Sequence, residues 1–378
     1  MERADNMRLA QRVKEEIWNI LFFALVVTLA VVIIYLIGTL REHPTEKRTR
    51  VGGVFIGSVS DKGWNESHYE GLKKVCDDME LPLEIVEYVD ETDKGCRKAV
   101  AELAAKGVNV IFLTSDGFGA DVTGVARDYP LIMFYTISPE SDADNLVTYY
   151  GRMYQMRYLA GVVAGQMTQS NVLGYVAAMD NAQVDRGINA YLLGARLVNP
   201  EAVVKVRLMG SWFDSGKEQE AAKALIEEDG ADVLTFHSST ANTVEVAEQE
   251  GVYSIGYNMV EDGYSERCLA SLVFHWDVLY DAILRDFRKG SIHNQGDYWW
   301  GGEKNVVAIE NLSPLIDQKL KRRLKKLRDG FEQGEDVFLG EIRRADGTVV
   351  CEKNERISDK ALLHDMNWFV EGVEVNVP

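Results

Sequence analysis

Short apolar runs alternate with amphipathic stretches between Val51 and Asn258. The first run, "VGGVFIGSV", is followed by "SHYEGLKKVCDDM", in which Tyr69, Leu72 and Val75 fall on one helical face. The alternation continues through "LIMFYTIS", and a second series begins at "RYLAGVVAGQMTQS" and ends at "VYSIGYN". This pattern predicts parallel β-sheets covered by helices on both faces, and the two successive series predict two α/β lobes.

A different pattern stands near the N-terminus. Residues 17–40, "IWNILFFALVVTLAVVIIYLIGTL", are nearly all apolar and carry no charge. About 20 such residues, as a helix, span the roughly 30 Å hydrocarbon core of a bilayer. The sequence therefore predicts an uncleaved transmembrane signal anchor at 17–40, after a cytoplasmic segment at 1–16 and before a tether at 41–50. Basic residues flank both ends in similar numbers, so the charge rule leaves the orientation open.

The charge balance excludes one class of partner. The chain has 378 residues, enough for two domains, and a formal net charge of −18. An acidic chain repels phosphate backbones, so we expect no nucleic-acid partner. The stretch "KLKRRLKKLR" is basic, but a solvated surface helix is the simpler interpretation of it.

Motifs for metal binding and catalysis do not fit the sequence. The four cysteines lack zinc-site spacing and are interpreted as isolated thiols, although a disulfide between Cys76 and Cys96 stays open. In "GSWFDSGKE", five residues separate Gly210 from Gly216 where a phosphate loop has four. We therefore predict no metal and no cofactor.

Candidate ligand-binding residues follow the predicted strands. In open parallel sheets, ligands lie beyond the carboxyl ends of the strands. Aromatic, hydroxyl, amide and carboxylate side chains recur there, as expected of a cleft for a flat, hydrogen-bonding ligand. They are Ser58, Ser60, Asp61, Trp64, Asn65, Asp116, Phe118, Asp121, Asp180, Asn181, Trp212, Phe213, Asp214, His237, Ser238, Ser239 and Asn258.

Longer stretches carry a family pattern. They are "VTYYGRMYQMRYLAGVVAGQMTQSNVLGYVAA", "RGINAYLLGARLVNP", "KEQEAAKALIEEDGADVLT", "GVYSIGYN" and "GEIRRADGTVVCEKNERISDKALLHDMNWFVEGVE". Together they resemble the basic-membrane-protein family, the purine-nucleoside-receptor type of ABC-importer substrate-binding proteins. The resemblance covers Val51 to the C-terminus. It implies a type I periplasmic-binding-protein fold: two lobes joined by three crossovers, with the ligand between them and no catalytic activity. We expect residues 51–150 and 276–305 in lobe 1, and residues 151–275 and 306–378 in lobe 2.

The resemblance also implies ligand-binding positions. The family's two stacking aromatics fall on Trp64 of "DKGWN" and Trp212 of "GSWFD". The amide after the first aromatic falls on Asn65, and the acidic residue after the third strand falls on Asp121. With His237 from the strand ends, these residues form most of the predicted ligand-binding set.

Two family positions are changed in this chain. The residue after "IG", which usually carries a carboxylate, is Asn258, and a lysine common in nucleoside binders is Phe274. Both belong to the predicted set, but Phe274 cannot donate a hydrogen bond and Asn258 is neutral. The groups that hold ribose hydroxyls are therefore missing, and a free purine base is favoured over a nucleoside.

The predicted function is a membrane-anchored receptor that captures a purine base (of the adenine or guanine type) or a purine nucleoside for an ABC permease. Its ligand domain is expected outside the cell membrane, with a single membrane pass. A ligand-sensing regulatory receptor with the same domain is an alternative. A nucleoside-processing enzyme that uses His237 or His275 is a further alternative.

Overall fold

The computed structural model describes residues 14, 17–18, 21–33, 49–137, 142–260, 262–291 and 298–376. The chain forms two compact units, residues 1–49 with 288–290 and residues 50–287 with 291–378. All the strands and helices named below start in the second unit.

The predicted membrane anchor is not found. Among the described residues, no helix is both long enough and apolar enough to cross a bilayer. The predicted single-pass localisation in the cell membrane is therefore wrong for the part of the chain that the structure describes. Residues 19–20 and 34–40 of the predicted span, and most of 1–16 and 41–50, lie outside that part.

Strands and helices alternate between residues 51 and 258 as the pattern predicts, except that the strands at 133–136 and 146–151 follow each other directly. The strands are β1 (Val51–Val54), β2 (Leu83–Val86), β3 (Val110–Leu113), β4 (Met133–Thr136), β5 (Leu146–Gly151), β6 (Val172–Ala177), β7 (Val203–Leu208), β8 (Val233–His237), β9 (Tyr253–Asn258), β10 (Cys268–Phe274), β11 (Tyr298–Trp300), β12 (Val307–Glu310), β13 (Ile342–Arg343), β14 (Val349–Cys351) and β15 (Val373–Asn376). The helices are α1 (Trp64–Asp78), α2 (Asp93–Ala105), α3 (Gly119–Asp128), α4 (Met153–Met167), α5 (Ala182–Arg196), α6 (Ser215–Glu227), α7 (Asn242–Glu250), α8 (Trp276–Lys289) and α9 (Gln318–Glu332).

The strands form two large sheets and a small hairpin of β13 and β14. The first sheet has the order β11-β5-β4-β3-β1-β2 and is parallel throughout. The second has the order β12-β10-β9-β8-β6-β7-β15, and only its β10–β12 pair is antiparallel. Strands β1, β3, β4 and β8 are buried at every residue, which explains why they read as continuous apolar runs.

The chain passes between the two sheets three times, and the passes meet at Gly151. It leaves the first sheet after β5, leaves the second after Phe274 at the end of β10, and returns between β11 and β12. A Cβ atom on Gly151 would lie 2.7 Å from a ring carbon of Phe274 and 2.8 Å from a methyl of Val307. Only glycine fits there, so this residue lets all three passes pack against one another.

Arg152 fixes the first pass. Its backbone N–H donates to Trp300 O at 2.7 Å, and its Nε donates to Trp299 O at 2.9 Å. Its guanidinium lies 3.8 Å from the Trp299 ring centroid and forms a bidentate pair with Asp359 at 3.1 and 2.5 Å. The pair ties the C-terminal segment to the point where the chain leaves the first sheet.

Helices α4 and α5 touch through their backbones. A Cβ on Gly161 would lie 1.9 Å from Tyr191 O, and a Cβ on Gly194 would lie 1.9 Å from Tyr158 O. No side chain separates the two helices at these points.

We expect Gly161→Ala to destabilise the protein by about 1–3 kcal/mol or more. The added methyl would overlap Tyr191 O, and this backbone oxygen can move away only if α5 moves with it. The midpoint of urea unfolding should fall. The matched control is Gly216→Ala in the first turn of α6, where the nearest atom to the new methyl is 3.5 Å away. This control should be neutral or slightly stabilising, since alanine favours helix. Equal midpoints for the two variants would contradict the packing described.

Candidate ligand-binding site

A small cavity is lined by residues that follow the carboxyl ends of strands in both sheets. Its volume is about 30 Å³. The first-sheet side contributes Ile56, Trp64, Ser115, Asp116 and Ile137, and the second-sheet side contributes Gln183, Trp212, His237, Ser238, Ser239 and Tyr257.

Trp64 is the first residue of α1 and is held on several sides. Its indole N–H donates to Thr114 O at 2.8 Å, and only 7% of the residue is exposed. Three rings meet it nearly edge-on, with centroid distances of 4.5 Å to His68, 5.5 Å to Trp276 and 5.7 Å to Phe274. The indole is therefore a fixed wall of the cavity that offers a ligand only a small part of its surface.

Asn65 supports the loop that carries Trp64. Its amide donates to Asp61 Oδ2 at 2.8 Å, and its Oδ1 accepts from the backbone N–H of Gly57 at 3.3 Å. Asp61 also accepts backbone N–H bonds from Gly63, Asn65 and Glu66. It thus closes the turn that leads into α1. Asn65 is fully buried and does not line the cavity. It therefore affects the cavity only by holding the loop that carries Trp64.

Trp212 lies on the opposite wall, in the loop after β7. It is half-buried, and its ring centroid is 6.0 Å from that of His237. Its backbone carbonyl accepts from Ser239 N at 3.0 Å, which joins the loops after β7 and β8. Its neighbour Phe213 is exposed and does not line the cavity.

His237 ends β8 and is locked between two tyrosines. Its Nε2 is 3.1 Å from Tyr257 Oη, and its Nδ1 is 3.5 Å from Tyr175 Oη. Burial, with the charges of Arg157 and Arg186, holds the pKa of His237 well below its usual range. The imidazole is therefore neutral, and one of its nitrogens accepts a hydrogen bond.

Arg157 supports this wall from behind. It donates to Phe236 O at 2.8 Å and to Thr235 Oγ1 at 3.2 Å, and its guanidinium lies 4.1 Å from the ring centroid of Tyr257. Only 1% of the residue is exposed, and no carboxylate among the described residues forms an ion pair with it. A buried cation of this kind makes the second-sheet wall electropositive.

Two other predicted residues lie behind the wall. Asn258 has a φ of 76°, donates to Ser238 O at 3.1 Å and keeps its buried Oδ1 without a partner among the described residues. Phe274 stacks on Trp276 at 4.3 Å. The side chain of Asp121, in the first turn of α3, lies outside the described residues.

Residues outside the predicted ligand-binding set have structural contacts. Glu218 is buried and accepts from the backbone N–H and the hydroxyl of Thr243, both at 2.9 Å, so it caps α7. His275 lies within 3.0 Å of Glu310 and 2.8 Å of Asn305 O, and it does not line the cavity. Cys76 and Cys96 are buried thiols that are not joined by a disulfide.

The sequence-based set omits several lining residues. Asp116, Ser238 and Ser239 stand among the predicted strand-end residues, but Ser115, Gln183 and Tyr257 do not. Gln183 follows the N-cap Asn181 of α5, whose side chain accepts from Val184 N at 3.0 Å. The first turn of a helix that follows a parallel strand lies at the same sheet edge as the strand-end loop. Including such first-turn residues in the sequence analysis would have identified Gln183.

Asp185 is a buried acid in the same helical turn. Only 1% of the residue is exposed, and neither carboxylate oxygen has a hydrogen-bond partner among the described residues. Burial, together with the nearby carboxylate of Asp180, raises the pKa of Asp185 to about 8. The α5 N-terminus favours a negative charge by only about 0.3–1 kcal/mol, so burial outweighs it.

Comparison with known proteins shows that the chain matches one protein family. The model of the Bmp family, described as "ABC transporter substrate-binding protein PnrA-like", matches residues 48–332. A purine-binding protein of Brucella abortus is 30% identical over 338 residues, which are 88% of this chain and 95% of that protein. A putative ABC transporter glucose-binding protein of Haloferax volcanii is 35% identical over 341 residues, 89% of this chain and 83% of that one. The transcriptional activator Med of Bacillus subtilis is 26% identical over 286 residues, 74% of this chain and 88% of that one.

Solved structures share the fold. A transcriptional activator of the comK gene from Bacillus halodurans superposes with a TM-score of 0.66 at 23% identity, covering 76% of this chain and 99% of that one. A solute-binding protein of an Aeropyrum pernix ABC transporter superposes with a TM-score of 0.65 at 15% identity, covering 76% and 92%. At these identities the likeness shows the α/β fold alone.

The raised pKa of Asp185 predicts a pH-dependent contribution to stability. Between the ordinary pKa of 3.8 and the folded value of about 8, the folded state holds a proton that the unfolded state releases. This contribution is complete below about pH 4 and is lost as the pH rises to about 8. The free energy of unfolding of Asp185→Asn, relative to the unchanged protein, should therefore increase over this range in urea titrations.

The control for this measurement is Asp78→Asn, which removes an exposed acid that pairs with Lys74 on α1. Its difference from the unchanged protein should vary little with pH in the same window. The raised pKa would be contradicted if the difference in free energy of unfolding between Asp185→Asn and the unchanged protein were constant from about pH 4.5 to about pH 8.5.

Proposed function

Because the chain belongs to the Bmp family of PnrA-like ABC transporter substrate-binding proteins, we propose that it captures a purine base or a purine nucleoside and delivers it to an ABC permease. The observation that carries the proposal is the placement of Trp64 and Trp212 in the walls of one cavity. Further support comes from the purine-binding relative of Brucella abortus, which aligns with 88% of this chain.

The cavity has the chemistry that a flat heterocycle needs. Stacking on an aromatic side chain contributes about 1–3 kcal/mol per base in nucleic-acid binders. Around the indoles, Asp116 accepts hydrogen bonds, and the Ser239 hydroxyl donates or accepts them. The Ser238 hydroxyl donates to Thr240 O at 3.0 Å and is left as an acceptor. We propose that Trp64, Trp212 and His237 contact the ligand directly. The other members of the predicted set, Asn65, Asp121, Asn258 and Phe274, are proposed to shape the loops and walls.

Capture requires the walls to move. The cavity volume of about 30 Å³ is far below the roughly 300–1,000 Å³ of ordinary small-molecule pockets. We propose two lobes, residues 51–150 with 276–305 and residues 151–275 with 306–378, that separate by hinge motion at the three passes. Closing would then bring the two indoles onto the faces of the ligand.

A ligand-sensing regulatory receptor is the second candidate. The similarity to the Bacillus subtilis transcriptional activator favours it, because that protein aligns with 74% of this chain. Both candidates use the same cavity, so ligand binding alone does not separate them. Uptake of labelled ligand by cells that carry or lack the gene does: a receptor that feeds a permease is required for uptake, and a sensor is required only for a change in transcription.

We expect isothermal titration calorimetry to detect binding of adenine, guanine, hypoxanthine or their nucleosides. Trp212→Ala should weaken the affinity by about tenfold to a hundredfold, because it removes one stacking surface. The purine should be recovered unchanged after incubation with the protein, since no chemical step is proposed. Glucose belongs in the panel because the Haloferax volcanii relative is named for it.

The matched control is Trp368→Ala, which removes another half-buried tryptophan. Trp368 packs 5.5 Å from the Arg344 guanidinium and does not line the cavity, so the affinity should stay within about twofold. Binding of glucose without any binding of purines, or equal affinities for the Trp212 and Trp368 variants, would overturn the proposal.

A further inference from the structure

The loop before α1 touches the second-sheet wall of the cavity at a glycine. A Cβ atom on Gly63 would lie 2.0 Å from the backbone oxygen of Ser239 and 3.0 Å from its carbonyl carbon. A second contact lies in the same loop, because a Cβ atom on Gly57 would lie 3.3 Å from a ring carbon of Phe213. At Gly63 the two walls therefore meet backbone to backbone, with no side chain between them.

This contact separates two spaces. On its inner side, Trp64 and Ser238 line the small cavity. On its outer side lies a groove of about 460 Å³, referred to below as the outer groove. The outer groove is lined by Asp61, Lys62 and Glu66 from the first-sheet side and, among others, by Thr240, Ala241 and Asn242 from the second-sheet side. The residues on either side of Gly63 and of Ser239 thus belong to different spaces, and the contact closes the passage between them.

Both sides of the contact are held by carboxylates. On the first-sheet side, Asp61 accepts from the backbone N–H of Gly63 at 2.9 Å. On the second-sheet side, Glu218 is fully buried and accepts from the backbone N–H and the hydroxyl of Thr243, both at 2.9 Å, and from the hydroxyl of Thr240. Hydrogen bonds to ionised acceptors are the stronger ones in proteins, so neither loop gives way easily.

The short approach at Gly63 fixes the separation of the walls. Real Cβ atoms do not come within 3.0 Å of another heavy atom, so a methyl group at Gly63 requires the 2.0 Å approach to Ser239 O to widen by about 1 Å or more. A gap of about 0.5–1 Å already removes about a quarter to a half of the dispersion attraction between two surfaces. Because Trp64 follows Gly63 directly, a molecule held between the walls would lose contact in the same way.

We propose that Gly63 is a positioning residue whose contact with Ser239 O acts as a stop. The stop sets how closely the two walls approach, and it closes the passage by which a small molecule moves between the outer groove and the cavity. The stop is a feature of the fold alone, whereas its effect on the retention of a purine compound rests on the proposed function. It controls dissociation rather than association, because the walls are already apart while a molecule enters.

Alkylation of a thiol in the cavity lining tests the stop without any purine. Ser239→Cys keeps the backbone oxygen of the stop and places a thiol on the cavity wall, whereas the four natural cysteines are buried. Iodoacetamide should modify position 239 about fivefold or more faster when Gly63→Ala is added, because the methyl group excludes the fully closed arrangement. Peptide mass spectrometry identifies the modified position. The matched control is Gly216→Ala in the same background, where the nearest atom to the new methyl is 3.5 Å away and the rate should stay within about twofold.

Stopped-flow kinetics test the retention of a purine. The probes are adenine, guanine, hypoxanthine and their nucleosides. For each probe that binds the unchanged protein, Gly63→Ala should raise the dissociation rate constant about fivefold to thirtyfold and leave the association rate constant within about twofold. A variant that is only less stable would lower the fraction of folded protein without changing the dissociation rate constant. Glu218→Gln weakens the hold on the loop that carries Ser239, so it should raise the dissociation rate constant and the alkylation rate in the same direction. It decides the test if Gly63→Ala does not fold.

Each other outcome counts against a specific claim. Equal alkylation rates with Gly63→Ala and with Gly216→Ala would overturn the stop and leave the proposed function in place. Faster alkylation with an unchanged dissociation rate constant would overturn the role of the stop in retaining the purine. No binding of any probe would overturn the proposed function, and the alkylation rates would still decide for or against the stop.

Discussion

The close approach of three chain segments at Gly151 is the constraint on which the rest of the fold depends. Each pass between the sheets contributes to it, because Phe274 ends β10 and Val307 begins β12. A side chain at Gly151 would push these segments apart and would move Phe274, which packs against Trp276 and Trp64. The cavity wall and the passes between the sheets therefore form one packed cluster.

Burial without ion pairing sets the electrostatics of the site. Arg157 and Arg186 lie behind or beside the second-sheet wall with no paired carboxylate in the described part of the chain, while Asp185 is buried and has a raised pKa. A protonated Asp185 offsets neither cation at neutral pH. Asp116 lines the cavity and also lines an adjoining pocket together with Arg186, so a carboxylate and a guanidinium border the same space.

The local sequence pattern was sufficient to predict the strands that are buried along their whole length. Strands such as β3 and β8 are buried at every residue, and their sequences show it. Strands β11 and β15 were not predicted, because they form by pairing with remote strands: β15 lies along β7. The membrane anchor was predicted from hydropathy alone, and the described residues contradict it.

The candidate site was predictable only in part, for the same reason. Loops at the ends of parallel strands indicated that Trp64 and Trp212 face a common space, and both residues line the cavity. Sequence order could not show that Phe274 packs behind the wall, or that Arg186 lines the adjoining pocket from a helix. Those positions depend on how α5 and α8 pack, which no short stretch encodes. Which of these residues hold a ligand stays a prediction.

The backbone contact between α4 and α5 has a mechanical consequence. Helices separated by side chains can slide by repacking them, but here a carbonyl oxygen lies where a methyl group would be. A displacement of α5, which carries Gln183 and Arg186, must therefore carry α4 with it. Helix α4 starts at Met153, two residues after Gly151, so α5 is mechanically coupled through α4 to the point where the three passes meet.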